Sequence, residues 1–280
     1  MMIYVYHIYM KKITLLLPLL LFSSCSCSPT EKDLNREDNQ EEEIDINRTV
    51  SSLNEDEYYL FPRLYLKKLS SYSTYQSVTK GSTKASVSFI GIPIDTEQSI
   101  DATVIKGDYS YLKNESHSTL VNTVHTAYFH NDKALSKNDA GNEYSLTTLS
   151  EYLNIYGTYP FDQAIEGYLI NKESINSITK LESEENHSFK IDFNIEKSVN
   201  NVKIQMREFG GLDDYPNFEK VEMTISIKDD FTPININLQS KYTAKKGMVS
   251  TCEQHYQVTF SSFNEVIDIP DLELIKNKFN

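Results

Sequence analysis

Few side chains in this sequence are placed to do chemistry. His117, His125 and His130 suggest a metal site, but no His-Glu-x-x-His element or zinc-spaced cysteine pair completes a ligand set. His125 and His130 are five residues apart, so one strand carrying both would point them to opposite faces; they are expected at the surface or in turns. No Gly-x-Ser-x-Gly elbow and no phosphate-cradling glycine loop is present. In so acidic a chain the neighbouring carboxylates Asp213-Asp214 and Asp229-Asp230 carry no weight as an acid and a base. The expectation is therefore a protein that is not an enzyme and holds no metal or cofactor. One group has a defined chemistry, the thiol of Cys25. It follows Lys11-Lys12, an apolar run from Ile13 to Phe22, and Ser23-Ser24. That order of positive, apolar and small segments is a secretory signal.

The run Ile13–Phe22 has ten residues, and a spanning helix needs about twenty. It therefore serves export and cannot remain as a membrane span. Phe22-Ser23-Ser24-Cys25 resembles the lipobox of bacterial lipoproteins, in which the cysteine thiol receives a diacylglycerol and the chain is cut just before it. The resemblance implies lipidation at Cys25; the alternative is an ordinary signal-peptidase site without lipid. Cys27 is the poorer acceptor, because Cys25 would then lie inside its lipobox. Residues 1–9 (MMIYVYHIY) precede the lysine pair. Met10 is the expected start, with an extended leader as the alternative.

Residues 1–24 are thus read as signal, 25–54 as an acidic disordered tether and 55–280 as the folded domain. From Pro29 to Glu57 the chain holds eleven Asp or Glu against three Lys or Arg, a net of −8 out of −13 overall. So few apolar residues cannot bury a core, and like charges keep such a linker extended. The same acidity argues against nucleic acid, which requires a basic stripe. Trp is absent while Tyr reaches 19, which favours sheet. Of the remaining cysteines, Cys252 reads as a small sheet residue, with a disulfide to Cys27 as the alternative.

The elements follow from the spacing of apolar residues. Tyr58 to Leu69 predicts a first helix, with Pro62 tolerated in its opening turn. Ser70–Lys80, stopped by Gly81, and Lys84–Pro93 read as strands, as do Ser99–Lys106, Asp108–Lys113 and Thr119–His130. Ser145 or Thr148 can cap a helix through Tyr156, Thr148 with Glu151 fitting a capping box, and a second short helix is expected over Phe161–Ile170. His187–Glu196 alternates with period two. Ser198 is expected to cap a helix bearing Val199, Val202, Met206 and Phe209. Three long strands close the chain, with Asp229-Asp230 and Lys245-Lys246-Gly247 at the turns.

This order of elements resembles the LolA-like superfamily, including its LppX/LprG-like lipoproteins. Met248 to Pro270 is similar to the end of such domains in low-GC Gram-positive bacteria. The resemblance covers about Glu55–Leu274. It implies an α+β fold, a large curved antiparallel sheet forming an open half-barrel with helices packed on its concave face. It also implies a possible lipid or amphiphile ligand in a cleft between sheet and helices. The candidate lining is Phe189, Ile191, Phe193, Val221, Met223, Ile225, Ile234, Ile236 and Leu238, faced by Leu149, Leu153, Val202 and Met206. The alternatives are a closed core made of the same residues, or a surface protein-interaction module or accessory subunit of an envelope complex, to which the tyrosines are suited. The implied location is the extracytoplasmic face of the cell membrane, held by the lipid anchor, with no protein partner identified.

Overall fold

A computed structural model describes residues 48–89, 92–118, 122–138, 143–156, 168–181, 186–208 and 210–279. Cys25, Cys27 and the signal and tether segments before Arg48 lie outside the described residues, as do residues 161–167 of the expected second helix; its last residues, 168–170, are irregular.

The strands are β1 (Tyr75–Phe89), β2 (Ile92–Lys106), β3 (Ser110–Ser118), β4 (Asn122–His130), β5 (Lys133–Asn138), β6 (Ser145–Thr148), β7 (Ile175–Leu181), β8 (His187–Phe193), β9 (Asn217–Ile227), β10 (Pro233–Lys246) and β11 (Met248–Ser261). They form one open antiparallel sheet in the order β6-β5-β4-β3-β2-β1-β11-β10-β9-β8-β7. The chain enters at the centre, meanders out to β6, crosses to the far edge at β7 and meanders back, so that β11 pairs with β1. The helices are α1 (Phe61–Ser71), α2 (Leu149–Tyr156), α3 (Ile195–Ser198), α4 (Asn200–Glu208) and α5 (Leu272–Ile275). The result is the expected α+β half-barrel, with α1 to α4 on its concave face and α5 on the opposite face.

α1 buries Phe61, Leu64, Tyr65 and Leu69, a stripe at helical spacing. Phe61 stacks on Phe189 of β8 with ring centroids 4.5 Å apart, and Tyr65 meets Phe260 of β11 edge-on at 6.2 Å. α4 turns Val202, Gln205 and Met206 inward. Together they cover the apolar concave face of β8–β11 in one continuous cluster.

Packing begins earlier than the expected boundary at residue 55. Val50 and Leu53 are buried in the main core. The Val50 amide donates to the Asp229 carbonyl at 2.8 Å and the Ser51 amide to its carboxylate at 2.8 Å. Arg48 makes two 2.8 Å hydrogen bonds to Glu57. Two isolated apolar residues at the end of an acidic run were enough to dock it. Two further expectations are corrected. Gly81 lies in the middle of β1 and does not end it. Ser198 is not a cap, since among the described residues its buried hydroxyl has no hydrogen-bond partner; it ends α3, which takes in Ile195.

The other arm of the sheet is covered on both faces. Ile105, Tyr111, Tyr128 and Leu135 are successive cross-strand partners on the convex face, overlaid by Ile269, Ile275 and Phe279 of the C-terminal segment. The adjacent row on the concave face, Val104, Leu112 and Ala127, joins Phe129 and Ala134 beneath Tyr152 of α2. The Thr148–Glu151 capping box is present, with the Thr148 amide donating to Glu151 at 2.8 Å and the Glu151 amide to the Thr148 hydroxyl at 3.2 Å.

Candidate functional site on the concave face

The candidate lining residues divide between two places. Phe189, Ile191, Phe193, Val221, Met223, Ile225, Ile236 and Leu238 are all fully buried in one cluster with Val202 and Met206, roofed by α1 and α4. Ile234 sits at a bulge in the β9–β10 pairing and is half-buried. Leu149 and Leu153 are half-buried on α2, and Leu149 packs in a separate cluster on the other arm. The structure therefore does not bring Leu149 to face the strand residues of β8–β10.

Between these two apolar regions the registers bring together something the spacing did not reveal. Partners across a ladder share a face. Ser240 of β10 faces Gln254 of β11, Gln254 faces Thr83 of β1, and Thr83 faces Gln98 of β2. Gln98 donates to the Ser116 hydroxyl of β3. Next along β3 on this face comes Asn114, paired with His125 of β4. A diagonal polar stripe thus crosses six strands of the concave face, from β10 to β4. Ser240, Thr83, Gln98, Ser116 and His125 are all buried.

Parts of the stripe are internally bonded. The Ser240 hydroxyl donates to the Gln254 carbonyl at 3.1 Å, and the Gln254 amide donates to the Tyr242 hydroxyl at 2.8 Å. Thr83 and Tyr256 share a hydroxyl–hydroxyl bond of 2.9 Å, and His125 Nε2 lies 3.1 Å from the Tyr152 hydroxyl. His125 is therefore an interior residue, in contrast to the surface placement expected for it. His130 stacks on Tyr109 at 4.0 Å on the opposite face. Burial raises the phenols of Tyr242 and Tyr256 above their usual value, and neighbouring Cys252 adds to both shifts. Burial also pushes the Cys252 thiol up to about 11. These groups stay protonated and neutral at physiological pH.

Two acceptors in the stripe are left open. Among the described residues Gln98 Oε1 and Asn114 Oδ1 have no hydrogen-bond partner, and Gln98 is only 1% exposed. A buried amide oxygen without a donor loses about 1–3 kcal/mol of solvation, so native structures rarely keep one without a reason. Beneath α3 and α4, Ser198 Oγ and both polar atoms of Gln205 are in the same condition, surrounded by the main core.

Charge is segregated to the other side. From β10 through β4 the concave-face positions contain no Asp or Glu, and their only lysines are the strand ends Lys106 and Lys246. The opposite face carries Lys80–Asp101, Lys113–Glu115 and Lys241 with Glu219 as ion pairs. The chain's 40 acidic residues therefore lie elsewhere than on these concave positions. The site can accept and donate hydrogen bonds but offers no carboxylate for acid–base work. Among the described residues no three His, Cys, Asp or Glu side chains are grouped to hold a metal ion.

No protein-family profile and no curated protein matches the chain. Among solved structures, a DUF1329 family protein from Desulfovibrio piger aligns over 79% of this chain and 97% of its own, with 8% identity and a TM-score of 0.27. A LolA superfamily protein from Nitrosomonas europaea aligns over 77% and 98%, with 8% identity and a TM-score of 0.26. A putative outer membrane lipoprotein-sorting protein domain from Vibrio parahaemolyticus aligns over 81% and 99%, with 9% identity and a TM-score of 0.24.

Proposed function

We propose that this protein is a lipid-anchored, extracytoplasmic binding module, without enzymatic activity, that holds an amphiphilic ligand against the concave face of its sheet. The observation that carries the reading is the polar stripe that crosses the concave face, bordered by Ile100, Val104 and Leu112. An amphiphile supplies both hydrogen bonds for the stripe and apolar surface for its borders. The apolar half of the sheet, filled by α1 and α4, serves as the scaffold. Anchoring rests on the signal pattern and on Cys25, which precedes the first described residue, Arg48, by 23 positions.

Two measurements test this. Cell fractionation of Cys25→Ser is expected to move the protein from the membrane to the soluble fraction; retention in the membrane would overturn the anchor. Native mass spectrometry of the mature chain, begun at residue 25 so that the Arg48–Leu53 contacts remain intact, is expected to show a stoichiometric lipid or amphiphile adduct. A chain still bare after incubation with membrane lipids would overturn ligand binding and direct attention to protein partners.

A further inference from the structure

The far edge of the sheet is open where the chain is delivered to it. Among the described residues β7 pairs with β8 alone, and five of its seven residues are exposed. Its ladder is irregular between Ile175 and Ser177 and regular from Ser177 to Leu181. The opposite edge, β6, has only four residues and leads directly into α2. A regular, exposed edge rich in Ile and Thr is a template for another strand unless something covers it. We propose that the acidic segment Glu41–Asn47 of this chain covers it, adding to β7 as a parallel strand. The assignment does not depend on any ligand.

The sequence of the segment suits the place. Ile44 and Ile46 are the only apolar residues between Leu34 and Val50, and they alternate with Glu43, Asp45 and Asn47 in the period of a strand. The position follows from the contacts of residues 50 and 51. Val50 and Ser51 are held by Asp229, whose carboxylate also lies 3.1 Å from Nε2 of His187, the first residue of β8. β7 ends beside that same end of β8, with Leu181 opposite Ser188. Neighbouring strands lie about 4.8 Å apart, so a strand beyond β7 is about 10 Å from β8. The four residues from Ile46 to Val50 span up to about 13 Å, enough to reach it. Both β7 and the segment run toward the Asp229 turn, which makes the pairing parallel.

Charge fixes the register. Lys180, opposite Phe189, and Ile178, opposite Ile191, lie on the concave face of β7, while Thr179 and Leu181 lie on the convex face. Ladder neighbours share a face, so Asp45 beside Lys180 places Ile44 and Ile46 beside Thr179 and Leu181. Lys180 is exposed and takes part in none of the ion pairs among the described residues. The residues joining β7 to β8 include Glu182, Glu184 and Glu185. In a parallel pairing Asn47 and Arg48, neutral and basic, pass this acidic connection, and Glu41–Glu43 lie toward the other end of β7, where Lys172 precedes the strand. An antiparallel pairing would bring the two groups of glutamates together. Docking leaves Cys25–Gln40 as the free tether and, with Cys25 anchored as proposed above, turns the β7 edge toward the membrane, covered against pairing with other chains.

The test is amide-resolved hydrogen exchange on the mature chain from residue 25, carrying Cys25→Ser. Alternate amides of residues 43–47, and those of Ser177–Leu181 that point away from β8, are expected to exchange about tenfold or more slowly than an unstructured chain. In the double variant Ile44→Asp, Ile46→Asp both sets should lose that protection, while the Val50 amide keeps its own and so reports that the fold is intact. Lys180→Glu is expected to lower the protection of residues 43–47 by about threefold, and Asp45→Lys added to it should restore the loss. Residues 43–47 exchanging as unstructured chain in the parent would overturn the proposal. Outward amides of β7 that stay protected in the double variant would also overturn it, by giving the edge to another occupant. Protection indifferent to the charge reversal would overturn the register.

Discussion

Gly81 offers the sharpest test of how the concave face is packed. It lies mid-strand in β1 with ordinary extended backbone, so what the position restricts is space. A Cβ built there would stand 2.1 Å from Cδ1 and 2.7 Å from Cε1 of Tyr256, and 2.7 Å from the His255 carbonyl oxygen. The Tyr256 ring lies directly across Gly81, its cross-strand partner, with its hydroxyl bonded to Thr83. Gly81→Ala must therefore displace the ring. Overpacking of this kind costs about 1–3 kcal/mol and the lost hydroxyl bond about 1 kcal/mol. The gain in strand propensity returns about 0.5–1 kcal/mol. The net expectation is about 2 kcal/mol of destabilisation, which lowers Tm by about 4–8 °C in a domain of this size. Urea unfolding followed by tyrosine fluorescence measures it. In a Tyr256→Ala background the same alanine meets no ring and keeps only the contact with the His255 carbonyl at 2.7 Å, so part of the penalty should vanish as a coupling energy of about 1 kcal/mol. A single variant within about 0.5 kcal/mol of the parent, or a strictly additive pair, would refute this account.

Two further outcomes are expected. Arg48 and the Asn54 amide hold the Glu57 carboxyl at about 2, below its usual 4.5, and hydrogen bonds from Ser51 lower Asp229 as well. A depressed acid stabilises the fold fully above its unfolded value and loses that contribution as pH falls toward the folded one. Protection of the Val50 amide, corrected for intrinsic exchange, should hold down to about pH 4.5 and fall away toward about pH 2; protection unchanged at the lower limit would refute the clasp. The buried thiol of Cys252, with its raised pKa, should resist iodoacetamide in the native state and react only on unfolding. Rapid native labelling would show that the centre of the sheet opens.

The arm from β8 to β11 was legible in the sequence because only one of its faces is buried. Phe189, Ile191 and Phe193 are buried while Lys190 and Asp192 are exposed, and β9 repeats the pattern. The β2–β6 arm was harder to read. Tyr128 is covered by the C-terminal segment and Phe129 by α2, so consecutive residues are both buried and period two is lost. Gly81 misled for another reason. A glycine between two β-rich runs suggests a chain breaker, whereas the packing needs a flat spot beneath a tyrosine ring. The docking of Val50 and Leu53 has no local signal in the sequence, because the Asp229 turn that holds their segment lies about 180 residues away.

The stripe was the least legible feature, since none of its members is unusual for a strand. Thr83, Gln98, Ser116, Asn114, Gln254 and Ser240 become a site only through register, and register depends on which strands are neighbours. The decisive pairing joins the first strand to the last: Thr83 and Tyr256, 173 residues apart, share a hydrogen bond at the seam between β1 and β11. One half of the stripe belongs to the arm that leaves the centre and the other to the arm that returns. Neither hairpin meander contains it alone, so the site appears only when the seam closes and the whole sheet is in place. A ligand lying across that seam, as proposed, would be bound by the fully folded chain and not by either arm. Its binding free energy must then appear in the global unfolding transition, and local opening of an edge such as β7 should leave its affinity untouched.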